Sequence, residues 1–214
     1  MTADSPSDAV LTVDLDALAD NYRLLAAKAA PAECAAVVKA DGYGLGAATV
    51  APALAAAGAT SFFVAQLGEA IALRALLPAV DIGVLNGLAP DRETDYATQR
   101  LAPVLNTLGE VADWAAFCRA RGQAPAAYLH IDTGMNRLGL GPDELATLAG
   151  EPDRLSGIGL HAYMSHLACA DQAGAALTAR QLADFQTALA RLPRGRASLA
   201  NSSGIFRGAA YHLD

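Results

Sequence analysis

The stretch AAVVKADGYGLGAATVAPALAAAGATSFFVA, residues 35–65, holds one full cycle of the pattern that decides the fold. AAVVKA at 35–40 is short, apolar and β-branched at its centre, as expected of a strand buried on both faces. A glycine-rich turn follows, then an alanine-rich helix over about 45–57, and TSFFVA at 60–65 reads as the next short strand. No charged residue occurs between Gly42 and Gly68, which on hydropathy alone suggests a membrane span. Pro52, Gly58, Ser61 and Gln66, and the excess of alanine over leucine, favour a buried helix followed by a buried strand instead.

The same cycle extends in both directions. Upstream, residues 11–14 alternate like a short strand, and Asp14 or Asp16 can cap the helix ALADNYRLLAAKAA, in which Leu18, Tyr22 and Leu25 recur at helical spacing. Downstream come a helix over 67–76, the strand DIGVL at 81–85, a region rich in turn formers, PVLNT at 103–107 and a helix over about 111–120. AAYLHID follows at 126–132, then a helix from near Pro142, LSGIGLHAYM at 155–164, a long helix over about 175–190 and ASLAN at 197–201. Seven core strands alternating with helices imply an α/β fold with parallel strands. Their spacing of about 20–30 residues suits a (β/α)8 TIM-like barrel better than an open sheet, although the pattern alone leaves both open. A closed barrel needs eight strands, and an eighth would only be starting at AAYHLD, residues 209–214. The expectation is one domain over 1–214, a barrel truncated before its eighth strand, with two unpaired sheet edges.

With 15 basic and 22 acidic side chains, a formal charge of −7 and no dense basic run, the chain offers no footprint for nucleic acid. Cys34, Cys118 and Cys169 are far apart and odd in number, which fits reduced thiols in a cytoplasmic protein. The N-terminus MTADSPSDAV lacks the basic and apolar regions of a signal peptide. No clustered Cys/His spacing suggests a metal.

Four segments carry chemistry. In VVKADGYGLGA, Lys39 ends a strand, where barrel enzymes present catalytic groups; a neutral amine there can condense with an aldehyde cofactor, and a solvated or ion-paired lysine is the ordinary alternative. The glycines superficially fit a dinucleotide fingerprint, but the next acid after Asp41 is Glu69, already past the following strand, so the ribose-binding acid is missing. In HIDTGMNRLGLG, Asp132 and Arg137 flank a turn after a strand, and the guanidinium fork suits a carboxylate or ring oxygen; an aspartate cap and a surface arginine are the plain alternative. In HAYMSHLACAD, His166 follows a strand and can pack against a planar cofactor, or simply be a hydrogen-bonded side chain. In ANSSGIFRG, Asn201 and Ser202 lie in a turn able to cradle phosphate. An amine, a carboxylate grip, a flat partner and a phosphate cradle at one barrel mouth describe pyridoxal phosphate with an amino-acid substrate.

KADGYGLG, DTGMNRLG, MSHLACAD and NSSG, in this order and spacing, resemble the N-terminal barrel of bacterial alanine racemases over essentially the whole chain from Leu11. The resemblance implies pyridoxal 5'-phosphate as cofactor, Lys39 as its Schiff-base lysine and one of two acid–base groups, and interconversion of L- and D-alanine for peptidoglycan. It implies that Tyr43 and Ser202 contact the phosphate, Arg137 the ring oxygen and the substrate carboxylate, and His166 the ring face, with Asn201 supporting the site. In that family the second base is a tyrosine from the partner subunit's C-terminal β-domain, so a homodimer is implied, and the strand at 11–14 normally joins that β-domain. Neither the β-domain nor the arginine facing the pyridine nitrogen lies within these 214 residues. A related racemase for serine or another small amino acid, and an inactive cofactor-binding barrel, are the alternatives. One departure is internal: many family members carry a lysine two residues before the DTG aspartate, where this chain has His130.

Overall fold

A computed structural model of the chain describes residues 10–214. Helix α1 (Leu15–Ala29) starts where the Asp14 carboxylate accepts from the amides of Asp16 and Ala17, each at 3.0 Å. It leads into strand β1 (Ala36–Val37), a one-turn element α2 (Lys39–Tyr43) and helix α3 (Ala47–Ala56). Five strand–helix pairs follow: β2 (Ser61–Val64) with α4 (Leu67–Leu76), β3 (Asp81–Val84) with α5 (Glu93–Gln99), β4 (Ala102–Leu105) with α6 (Leu108–Arg121), β5 (Ala126–His130) with α7 (Pro142–Gly150), and β6 (Gly159–Met164) with α8 (Ala176–Leu189). The last pair is β7 (Arg196–Ser198) with the short α9 (Ser202–Ile205).

Every neighbouring pair is parallel and the order is β1 to β7 without a switch point, which settles the choice left open by the sequence in favour of the barrel type. The sheet curls until its outer strands approach one another. Arg196 on β7 donates to Glu33, just before β1, at 2.9 Å. Between them lies the backbone of Asp214, whose N–H donates to the Ala197 carbonyl at 3.1 Å while its carbonyl accepts from the Glu33 amide at 3.0 Å. The result is a curled half-barrel of seven strands.

Alternation along the strands builds two cores. In β2, Phe62 and Val64 face the helices and join the large cluster containing Ile82, Leu105, Trp114, Leu129, Tyr163 and Phe185. Phe63, between them, turns inward and packs with Ala102, Val104, Tyr128 and Ala162 in the lumen, its ring centroid 5.1 Å from that of Tyr128. Gly83 on β3 makes this possible, because a Cβ there would collide with the Phe63 ring. Both faces of the strands are therefore covered, which is why they read as unbroken apolar runs.

Three sequence expectations change. Residues 11–13 form no strand: they lie beside no partner strand, and Val10 and Leu11 are exposed. The segment at 209–211 forms a turn of 3-10 helix, and only Asp214 enters the position of an eighth strand. The region rich in turn formers contains α5, closed by Arg100 in a left-handed conformation. The N-terminal segment read as lacking a signal peptide lies, through residue 9, outside the described residues. Among the described residues no helix is long and apolar enough to cross a membrane.

Candidate active site

Because all strands run parallel, the residues following β1, β5, β6 and β7 emerge at one end of the half-barrel. Lys39 leaves β1 into α2, a turn of unusual hand: Ala40, Asp41, Gly42 and Tyr43 have φ of 53°, 53°, 64° and 57°. For the three non-glycine residues this left-handed conformation costs roughly 1–2 kcal/mol each, an expense met by surrounding contacts. The Asp41 carboxylate accepts from the Ala47 amide at 2.7 Å, so α3 begins at 47 and not at 45. At Gly42 a Cβ would press against the Ala47 backbone at 3.3 Å. From the neighbouring loop the Glu69 carboxylate accepts from the Ala40 amide at 2.6 Å. The Lys39 ammonium sits 5.9 Å from the centre of the Tyr43 ring, and that ring is 62% exposed at the mouth.

Arg137 belongs to a closed loop after β5. The Asp132 carboxylate gathers the amides of Gly134, Met135 and Asn136 at 2.9, 2.9 and 3.1 Å, and thus caps this loop and not a helix. The chain returns to its origin through Leu140, whose amide donates to the His130 carbonyl at 2.8 Å and whose carbonyl accepts from the Asp132 amide at 3.0 Å. Such a tight return needs Gly139: its φ is 104°, and a Cβ would stand 2.8 Å from the Asp132 nitrogen and 3.1 Å from the His130 ring. This explains the glycine late in the DTGMNRLG segment. Arg137 itself is exposed.

Four polar residues from other elements hold the loop bearing His166. Gln181 of α8, fully buried, donates to the His166 carbonyl at 2.9 Å and accepts from the Ala168 amide at 2.9 Å. Asn201 donates to the Leu167 carbonyl at 3.4 Å, Thr178 to that of Cys169 at 3.2 Å, and Arg207 to that of Ala170 at 2.7 Å. Asn201 also caps α9, accepting from the Gly204 amide at 2.9 Å, while Ser202 stays exposed. A buried contact of 2.8 Å between the Thr133 and Ser165 hydroxyls ties the Arg137 loop to the His166 loop.

The electrostatics are in keeping with this placement. Burial depresses the His166 pKa, and the charges of Arg137 and Lys39 lower it further. That coupling joins the exits of β1, β5 and β6, which only a curled sheet brings together. Burial likewise pushes His130 down to about 4, assisted by His166 and Arg137 against the opposing pull of Asp132. His130 is therefore neutral at pH 7, and its neighbour fixes the tautomer. Asn106, buried at the end of β4, donates its amide to the carbonyls of Leu85 and Val104 at 3.2 and 2.8 Å, which leaves its oxygen facing His130 Nδ1 at 2.9 Å. Nδ1 must then carry the proton, and Nε2 keeps a lone pair.

Lys39, Arg137 and His166 are thus coupled at the mouth, and Tyr43 lies beside Lys39. Asn201 joins through its hydrogen bond to the His166 loop, and Ser202 follows it, exposed, at the start of α9. Sequence reading missed Glu69, Asn106 and Gln181. Glu69 could have been found from the Q-x-x-E spacing at 66–69 before an apolar helix, and Asn106 as a polar residue ending a strand. Gln181, on the apolar face of an amphipathic helix, gave no signal beyond its polarity.

The family model for the N-terminal domain of alanine racemase matches residues 13–214. The chain belongs to that family. Within it, the chain is 53% identical over 209 residues to an alanine racemase of Methylobacterium sp. strain 4-46, covering 98% of this chain and 57% of that protein. An alanine racemase structure from Bartonella henselae, described with covalently bound pyridoxal phosphate, superposes with a TM-score of 0.94 at 42% identity, over 98% of this chain and 58% of that one. A histidine racemase from Leuconostoc mesenteroides matches with a TM-score of 0.80 at 25% identity, over 89% of this chain and 52% of that one. The chain thus spans a little over half the length of the curated relatives it matches. Among the described residues no group of His, Cys, Asp or Glu has metal-binding geometry.

Proposed function

We propose that this chain, acting as one domain, supplies the pyridoxal-phosphate site of a racemase that interconverts L- and D-alanine for peptidoglycan. The observation that carries the reading is the placement of Lys39, Arg137 and His166 at one mouth, after three separate strands of a parallel sheet. The residues fit the group: an amine for the aldehyde, a planar neutral ring for the pyridine face, and a hydroxyl in a turn for the phosphate. Lys39 would hold the cofactor, Tyr43 and Ser202 would bind its phosphate, and His166 would pack beside the ring. Asn201 supports that arrangement through the Leu167 carbonyl.

When bound, pyridoxal phosphate spreads over its ring the charge left at the substrate α-carbon after a proton departs. The freed Lys39 amine takes or returns that proton on one face. Arg137 grips the substrate carboxylate through its fork of donors, and neutral His130, offering the Nε2 lone pair, fits beside a guanidinium better than a charged ring would. Inversion requires a second acid–base group on the opposite face, which favours a homodimer in which the partner subunit supplies it. The free cysteines Cys34, Cys118 and Cys169 are in keeping with a cytoplasmic site of action.

Incubation with pyridoxal phosphate followed by borohydride tests the reading. Nζ condenses with the aldehyde carbon, water leaves, and hydride makes the C–N bond permanent; the label is expected on the Lys39 peptide and absent in Lys39→Ala. Label elsewhere, or none, sinks the proposal. Since a histidine racemase shares the fold, activity across an amino-acid panel decides the substrate, and a preference for serine or another small amino acid over alanine would replace alanine in this reading.

A further inference from the structure

We propose that Glu69 is a positioning residue for Lys39, holding the left-handed turn that aims its amine. The inference rests on the reading of Lys39 as the cofactor's point of attachment. Glu69 stands in the first turn of α4, and its two oxygens do different jobs. Oε2 accepts from the amides of Ala65 at 2.8 Å and Gln66 at 2.9 Å, which serves the start of α4 itself. Oε1 accepts from the Ala40 amide at 2.6 Å, across 29 residues of sequence, and contributes nothing to α4. One carboxylate therefore links the exit of β1 to the exit of β2.

The Ala40 nitrogen is bonded to the Lys39 carbonyl carbon, so fixing that N–H fixes the peptide plane from which Lys39 departs. Here it must be fixed, because the backbone turns left-handed at Ala40, a residue whose Cβ disfavours that conformation. No side chain of α2 itself caps its start, and Val38 at that position has no polar atom to offer. Among the described ion pairs Glu69 has no cationic partner, so its charge is directed wholly at backbone N–H groups.

The test compares the wild-type chain with E69A, E69Q and E69A/A40G by two readouts. The first is the rate of borohydride-fixed pyridoxal phosphate on the Lys39 peptide; the second is hydrogen exchange at the Ala40 amide without cofactor. E69A should label at least about tenfold more slowly, the loss expected for a charge-assisted hydrogen bond, and should lose Ala40 protection. E69Q keeps the side-chain shape and should fall between, and it carries the test if E69A does not fold. A40G removes the Cβ penalty at positive φ, so the double variant should recover labelling. Labelling of E69A or E69Q at the wild-type rate with Ala40 still protected would overturn the role, as would a double variant that recovers nothing, since Glu69 would then act only on α4. A wild-type chain that takes no label at Lys39 while Ala40 protection still depends on Glu69 would instead reject the proposed function and leave the backbone contact standing.

Discussion

At the scale of single residues, His130 and Arg137 make separable predictions. The folded protein keeps the His130 ring neutral down to about pH 4, whereas the unfolded chain protonates histidine near 6.5. Between those values the unfolded state binds more protons, so stability is complete above about 6.5 and falls as the pH drops toward 4. The shift sets a ceiling of about 3 kcal/mol for this loss, to which His166, depressed in the same direction, adds. His130→Gln removes the titration while keeping a donor for Asn106, so denaturant unfolding at pH 7 and pH 5 should differ less in the variant than in the wild type. Equal losses in the two proteins would mean that the ring is not held neutral. Arg137, exposed and without a described ion-pair partner, is free to face a carboxylate. In the racemase proposed above, Arg137→Ala should lower kcat/KM by about 10- to 100-fold, the range of a charge-assisted hydrogen bond, and weaken cofactor retention much less. Both quantities measured on one preparation check this, and a parallel loss of the two would contradict it.

At the scale of elements, the strands are legible because burial on both faces leaves a plain signature: all seven in the sheet show in the sequence as short apolar runs such as TSFFVA and DIGVL. Helix α5 is not, since its sequence ETDYATQ buries only Tyr96 and has almost no apolar stripe. Nor is the hand of α2 legible, because Ala40, Asp41 and Tyr43 give no local reason to turn left; contacts from Glu69 and Asp41 hold them there. The site followed the same division. Residues with distinctive chemistry at strand exits, Lys39, Arg137 and His166, could be picked out, whereas Asn106 and Gln181 act on backbone carbonyls that no sequence displays. Gly139 lies between these cases, in a visible motif but with a reason found only in the loop's closure. Gly139→Ala should destabilise the protein by about 2–3 kcal/mol, combining positive-φ strain with a clash at Asp132. Gly141→Ala, where a Cβ meets nothing and φ is −72°, is the matched control and should change stability little. Denaturant midpoints compare them, and equal effects would refute the closure argument.

At the scale of the whole molecule, the curl that gathers the site depends on what joins β7 to the approach of β1. Four residues meet there: Arg196 donates to Glu33 and, at 3.1 Å, to the Asp214 carbonyl, while Ser61 on β2 donates to the same Glu33 carboxylate. Burial tends to raise the Glu33 pKa, but the hydrogen bonds from Ser61 and Arg196 outweigh it and leave the carboxyl below its ordinary value. A depressed carboxylate stabilises the fold above its unfolded pKa, and that contribution disappears as the pH falls through the folded one. The Arg196–Glu33 pair is partly exposed, with side chains 45% and 34% accessible, so solvent screening limits it. A double-mutant cycle with Glu33→Gln and Arg196→Met should therefore give a coupling of about 0.5–1 kcal/mol at pH 7 and low salt. The coupling should shrink in high salt and disappear as the pH falls through the depressed pKa of Glu33. If the bridge maintains the curl, Arg196→Met should also weaken cofactor labelling of Lys39 at the opposite end of the strands, although it touches no site residue. A measurable coupling with labelling unchanged would mean that lumen packing around Phe63 and Tyr128 sets the curl by itself, and that the ion pair only decorates the join.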